Sequence, residues 1–276
     1  MRFTFLSENK TEIGNCRAEW GLSIYIEADG KKILFDAGAS DLFSDTAEKR
    51  GVDLREVEAC VVSHGHFDHT NGIPTFCKIN SKAKIYIHKN AFSEFYGTTD
   101  GVIDDYNCGV IWTDEEKQEV QARAVLTDGP VWITDNIVVS GNVPDVPEFK
   151  PVEQFYVRRF DGKLDPDDMS HEEFVAIRNG DKGVYLFSGC SHKGIVAAIE
   201  YAKQLFPGER IAGIIAGMHL FSADQERVNA VIEKIAAENP DVIIPTHCTG
   251  LYPTMEMAKR FGGKCILASN GKTYEF

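Results

Sequence analysis

The sequence contains no apolar run approaching the roughly 18 residues that a membrane span needs. Nor does it contain a low-complexity stretch, a strict repeat or a linker-like segment that would divide it. Basic charge is scarce: 29 Lys and Arg stand against 42 Asp and Glu, a formal net charge of -13. Polynucleotide binders draw most of their affinity from neutralising phosphates, so no nucleic-acid partner is expected, and no membrane partner either. A small anionic substrate is still compatible, because a local cationic site can attract one. The seven cysteines (16, 60, 77, 108, 190, 248 and 265) are odd in number and scattered. A chain of 276 residues needs no disulfide staples, so this usage implies a reducing, cytoplasmic setting with most thiols as small core residues. The opening MRFTFLSENKTEIG lacks a long apolar core and a cleavage-like site, and reads as a first strand rather than a signal peptide.

What is present is a succession of short strand-like runs: 2–6, 22–28, 31–36, 57–63 and 83–88, then 131–140, 174–178, 183–189, 211–217 and 241–246. Helical spacing appears in Ile195, Ala198, Ile199, Ala202 and Leu205, and again in Val228, Val231, Ile232 and Ile235. Ser222 and Gln225 form a capping-box signature ahead of that second helix. Hairpins dominate early and strand–helix alternation late, which predicts a mixed α/β layered fold in one domain over 1–276. Residues 91–169 are irregular and rich in Gly, Asp, Pro and aromatics, as expected of an ordered lid over a site or of an insertion.

One stretch stands apart. Of only 8 histidines, three fall in SHGHFDHTNG, as His64, His66 and His69, with Asp68 between them. The cluster directly follows an apolar strand. As the chain leaves that strand, alternate side chains can converge on one point while the next two reach a second. Imidazole and carboxylate at this spacing suit two adjacent borderline metal ions.

His64, His66, Asp68 and His69 form an HxHxDH signature, and over nearly its whole length the chain resembles the metallo-β-lactamase superfamily. LFDAG at 34–38 resembles that family's preceding strand-end motif. In detail the chain is similar to the branch of metal-dependent hydrolases often labelled dihydropterin-ribofuranosylaminobenzene-phosphate synthase. The motifs are GCSHKGI at 189–195, AGMHL at 216–220 where the branch has GGxHL, and PTHCTG at 245–250. The resemblance implies a four-layer αββα sandwich. It also implies further ligands: His171, the His 19 positions before Cys190, Cys190 itself at a bridging position, and His247. It places Asp36 behind the ligands, orienting an imidazole. His192 and His219 are expected to line the site as metal ligands, substrate contacts or donors behind the ligands, while His88 reads as structural.

The expected chemistry is that of a dinuclear hydrolase acting on a small ester or phosphoester. His64, His66 and His171 would hold one ion, and Asp68, His69 and His247 the other, with Cys190 near both. His66 stands where redox members of the superfamily tend to carry Glu, so zinc is favoured, with iron or manganese as alternatives. Asp68, His192 and His219 are the candidate catalytic side chains, and Arg158, Arg159 and Lys193 candidate contacts for an anionic substrate. Three rival readings are a diiron redox protein, a pterin-pathway synthase-like enzyme and a non-catalytic metal- or ligand-binding module. Substrate identity and oligomeric state have no sequence signal.

Overall fold

Local sequence sets the first hairpins. Arg2–Ser7, Ser23–Ala28 and Lys31–Phe35 are short runs rich in β-branched and aromatic residues. Asp29 and Gly30, at φ 48° and 70°, turn the second strand into the third, with Ala28 paired to Lys31. Two consecutive positive φ values make the twisted two-residue turn that hairpins favour. Residues 1–149 and 151–276 are described by this computed structural model.

Two sheets face each other. The first runs in the order Thr273–Glu275, Arg2–Ser7, Ser23–Ala28, Lys31–Phe35, Ala59–Val62, Lys84–His88, Ala124–Thr127. It is antiparallel up to Lys31–Phe35 and parallel beyond. The second runs Val131–Thr134, Ile137–Val139, Phe174–Arg178, Val184–Ser188, Ile211–Gly217, Val242–Thr246, its last two pairings parallel. Between them lies an apolar layer in which Phe3, Phe5, Ile24 and Val61 meet Val139, Val175, Phe187 and Ile244. Helices Leu42–Arg50 and Ile73–Ile79 cover the outer face of the first sheet through Phe43, Ala47, Ile73 and Phe76. Helices Ile195–Leu205, Gln225–Glu238 and Leu251–Phe261 cover the second through residues such as Ile199, Ile232 and Met257. This is the αββα sandwich. No helix among the described residues is long and apolar enough to cross a membrane.

Three expectations are corrected. The single strand expected at 131–140 is a hairpin, Val131–Thr134 with Ile137–Val139, folded at Asp135 and Asn136. The second helix is capped by Asp224, whose carboxylate accepts the Arg227 N–H, and not by Ser222. Residues 91–169 are not one lid. Helix Asp114–Arg123 leads into Ala124–Thr127, which extends the first sheet, and the hairpin after it forms the edge of the second. These core strands are only three or four residues long and sit among Gly- and Asp-rich turns, so their apolar signal is diluted. The flanking pieces build small separate sheets, including Tyr156–Arg158 with Phe95–Tyr96.

Candidate metal centre

The chemistry-bearing side chains collect at one rim of the sandwich, just past the carboxyl ends of strands. Asp36 follows Lys31–Phe35, His64 to His69 follow Ala59–Val62, and Cys190 and His192 follow Val184–Ser188. His219 follows Ile211–Gly217, and His247 follows Val242–Thr246. Strand ends of α/β sheets are where such folds place their ligands. Asp36, Ser191, His219 and His247 all hold positive φ, between 45° and 56°. Non-glycine residues in this conformation are strained, and such strain concentrates at functional sites.

Two groups of donors result. Ring nitrogens of His64, His66 and His192 lie within 4.8 Å of one another, and the Nε2 atoms of all three are buried without a hydrogen-bond partner. In the second group, His247 Nε2 stands 3.1 Å from Asp68 Oδ2 and 3.3 Å from His69 Nε2. Cys190 lies between the groups, its Sγ 3.2 Å from His69 Nε2 and within 4.8 Å of a His64 nitrogen. Buried polar atoms without partners are rare and need a reason. Nitrogens turned toward one another, beside a carboxylate and a thiol, have one in a bound cation.

The opposite edge of the imidazoles fixes their tautomers. Asp36 accepts the Ser63 N–H on Oδ1, and the Ser63 hydroxyl and His69 Nδ1 on Oδ2, each at 2.7 Å. With its proton given to Asp36, Ser63 Oγ accepts from His64 Nδ1 at 2.9 Å. His247 Nδ1 donates to Asn9 Oδ1 at 2.9 Å, while Glu8 receives the His247 backbone N–H at 2.8 Å. Nδ1 of His64, His69 and His247 is therefore occupied in each ring, which leaves Nε2 as the atom each can offer to a metal ion. Close approach of the two sheets is needed for this: a Cβ at Gly189 would stand 2.1 Å from Ser63 Oγ.

Electrostatics agree. Burial, then the crowding of neighbouring imidazoles, pushes His64 and His192 well below the ordinary histidine value. Burial, with His171 next, takes His66 down to about 3. Burial opposes charge on His69 as well, but Asp36 and Asp68 outweigh it and hold His69 up at about 9. Burial likewise opposes charge on Asp68, yet His69 and His247 keep its carboxyl well below the usual range. Neutral imidazoles at His64, His66 and His192 beside the ionised Asp68 suit a divalent ion, which would have to displace the second proton that His69 holds.

His171 stands apart from this arrangement, contrary to the expected ligand set. Its Nδ1 accepts the Gly65 N–H at 3.1 Å and its Nε2 meets Asp167 Oδ2 at 3.0 Å, so both nitrogens are engaged. His192 takes the place beside His64 and His66. The expected anion contacts also point elsewhere. Arg158 binds Glu94 and Tyr96, Arg159 pairs with Asp165, and Lys193 is buried against Val143 O and Asp145. Sequence reasoning missed Glu8, Asn9 and Glu172. Glu172 receives the backbone N–H groups of His192 and Lys193, shaping the turn that presents His192. A polar Glu8-Asn9 pair directly after an apolar strand was the only local sign of the first two. Cys248 was also passed over; it groups with Cys190 and His247 within 4.8 Å.

The donors open into a cleft of about 660 Å³, whose lining includes His66, Asp68, Cys190, His192, His219 and His247. His219 Nε2 meets Glu153 Oε2 at 2.9 Å, and the Cys248 side chain lies against the same ring.

Fold and donor set together define a metal-binding αββα sandwich, and comparison with known proteins supplies its family. Residues 21–247 match the model of the metallo-β-lactamase superfamily, and the chain belongs to that superfamily. It is 32% identical over 254 residues to an uncharacterized protein of Methanocaldococcus jannaschii, covering 88% of each chain. It is 28% identical to the same organism's 7,8-dihydropterin-6-methyl-4-(beta-D-ribofuranosyl)-aminobenzene-5'-phosphate synthase, covering 84% of this chain and 82% of that one. Among solved structures it is similar to Tm1679, a metal-dependent hydrolase of the beta-lactamase superfamily. That likeness has a TM-score of 0.83 and 25% identity, and covers 100% of this chain and 99% of the other.

Proposed function

We propose that this protein is a dinuclear metallohydrolase that cleaves a small ester or phosphoester, with zinc as the fitting metal. The observation that carries the reading is the set of buried, unpartnered Nε2 atoms on His64, His66 and His192, beside the convergent Asp68, His69 and His247. The first three residues would hold one ion and the second three the other, with the Cys190 sulfur between them. Imidazole, carboxylate and thiolate together suit zinc better than harder cations. Bound ions of this kind supply Lewis acidity and activate water at neutral pH.

The chain's own groups do the rest. Asp68 lines the cleft with its carboxylate held ionised, so it can orient the attacking water and receive its proton. Burial opposes charge on His219, but Cys248 and Glu153 outweigh it and hold the ring up at about 10, so with Nε2–H directed at Glu153 it carries a second proton on Nδ1 that it can give to a leaving group. The Phe155 ring packs on His66 at 4.7 Å and on His192 at 4.9 Å, shielding the donors from bulk water. Seven unpaired cysteines fit a reducing, cytoplasmic setting. Synthase-like chemistry on a ribosylaminobenzene phosphate is the second reading, supported by the 28% identity to that relative. It ranks lower because it rests on that likeness alone, whereas the hydrolase reading rests on the donor geometry.

Elemental analysis of protein purified without chelators or added metal tests the assignment, together with His192→Ala and His171→Ala. About two zinc per chain, falling to one or fewer in His192→Ala and unchanged in His171→Ala, is the expected result. Two iron would favour redox chemistry, and less than one ion of any kind after reconstitution would overturn the reading. Loss of metal from His171→Ala but not from His192→Ala would restore His171 as the ligand.

A further inference from the structure

The outer half of the cleft has a character the metal centre does not explain. Its rim carries Asp100, Asp104 and Glu153, together with the rings of Trp20, Phe67, Tyr106, Phe155 and Phe221. No Lys or Arg among the described residues lines it. Glu153 is engaged by His219, whereas among the described residues no ion pair or side-chain hydrogen bond is seen for Asp100 or Asp104. Trp20, Tyr106 and Phe221 are 51%, 58% and 48% exposed, although large rings are usually covered. Trp20 and Phe221 meet edge to face at 6.1 Å, and they flank His247 at 5.0 Å and His219 at 5.2 Å respectively.

Acidic side chains alone would mark no site. Here they rim a cavity whose floor holds the unpartnered Nε2 atoms of His66 and His192, which are 5% and 3% exposed. A substrate must therefore reach from that floor out through the ring of acids and aromatics. Carboxylates repel a phosphate's charge, and aromatic faces are negative, so both features favour the same kind of group: a cation. We propose that the cleft selects substrates carrying an ammonium group, with the carbonyl to be cleaved at the metal centre and the cationic tail between Asp100, Asp104 and the rings of Trp20 and Tyr106. This rests on the hydrolase reading for the reacting end, and on the cleft lining alone for the tail. It turns the choice between ester and phosphoester toward a cationic carboxylic ester, thioester or lactone.

The test is binding of benzyltrimethylammonium against benzyl alcohol, measured by calorimetry on the full chain as purified. The ammonium compound should bind at least about tenfold more tightly, equivalent to about 1.4 kcal/mol. The preference should weaken with added salt. In the double variant Asp100→Asn, Asp104→Asn it should shrink to about twofold, with benzyl alcohol affinity unchanged and the fold confirmed by circular dichroism. Equal binding of the two compounds to the wild type, or an undiminished preference in the double variant, would overturn the proposal. Selective ammonium binding by a protein that hydrolyses no ester would support this inference while sinking the hydrolase reading, so the two fail separately.

Discussion

Replacing Asp36 by Asn probes the centre without touching a proposed ligand. Asp36 is fully buried and accepts three hydrogen bonds of 2.7 Å, one on Oδ1 and two on Oδ2. Asn keeps the size but must put an NH2 group either where Ser63 Oγ–H and His69 Nδ1–H point or against the Ser63 N–H. Donor meets donor both ways. The least costly relief moves the His69 proton to Nε2, which removes the lone pair that faces His247 Nε2 at 3.3 Å. Losing the partner that orients a liganding imidazole typically lowers metal affinity 10- to 100-fold, or about 1.4–2.8 kcal/mol. Asp36 supports His69 directly and His64 through Ser63, so both ions should weaken, and the His69 side should approach the upper figure. Ser63→Ala removes the acceptor of His64 Nδ1 together with one donor to Asp36, leaves the His69–Asp36 bond in place, and should weaken chiefly the ion on the His64 side, by about tenfold. Competition against a chromophoric zinc chelator gives the stepwise affinities, and a thermal melt shows that each variant is folded. A folded Asp36→Asn protein holding both ions at wild-type affinity would refute the account of how the imidazoles are oriented.

Two further outcomes are expected. In metal-free protein, His66 titrates at about 3 when folded against 6.5 as the ordinary value, so below 6.5 the unfolded chain binds the extra proton. Stability from a neutral His66 is then present above 6.5 and is lost as pH falls toward about 3. Relative to His66→Ala, metal-free wild type should lose about 1.4 kcal/mol per pH unit in that window, read from urea melts. An unchanged difference between pH 6.5 and pH 4.5 would contradict the burial argument. Gly189→Ala should cost about 1–3 kcal/mol in the same melts through overpacking, and it should also weaken metal binding, because its Cβ would enter the space of Ser63 Oγ. Destabilisation with intact metal affinity would show that Ser63 can move aside harmlessly.

What was legible in the sequence is what is local. His64, His66, Asp68 and His69 lie within six positions, and a turn after a buried strand is enough to bring them together. The layered fold was readable from apolar periodicity, since its strands and helices each bury one face or both. Distant partners were harder. His171 and His192 are both histidines near strand ends, and only the packed structure shows His171 occupied by Gly65 and Asp167 while His192 Nε2 stays unpartnered. Asn9 orients a residue 238 positions away, a relation without any sequence spacing to betray it. The core strands inside 91–169 were hidden for another reason. They are short and flanked by turn formers, and their burial comes from the sheets they join rather than from a pattern of their own.

The two donor groups also bring the two halves of the chain to one point. His69 comes from the first sheet and His247 from the second, 178 residues later. An ion held by both would tie off that entire loop, as a covalent crosslink does, and closing a loop of this size removes unfolded-chain entropy of order 5 kcal/mol. Unlike a disulfide, such a staple could be withdrawn. The grip of one sheet on the other at the rim would then follow the concentration of free metal, with the ion-bound fold stabilised by mass action.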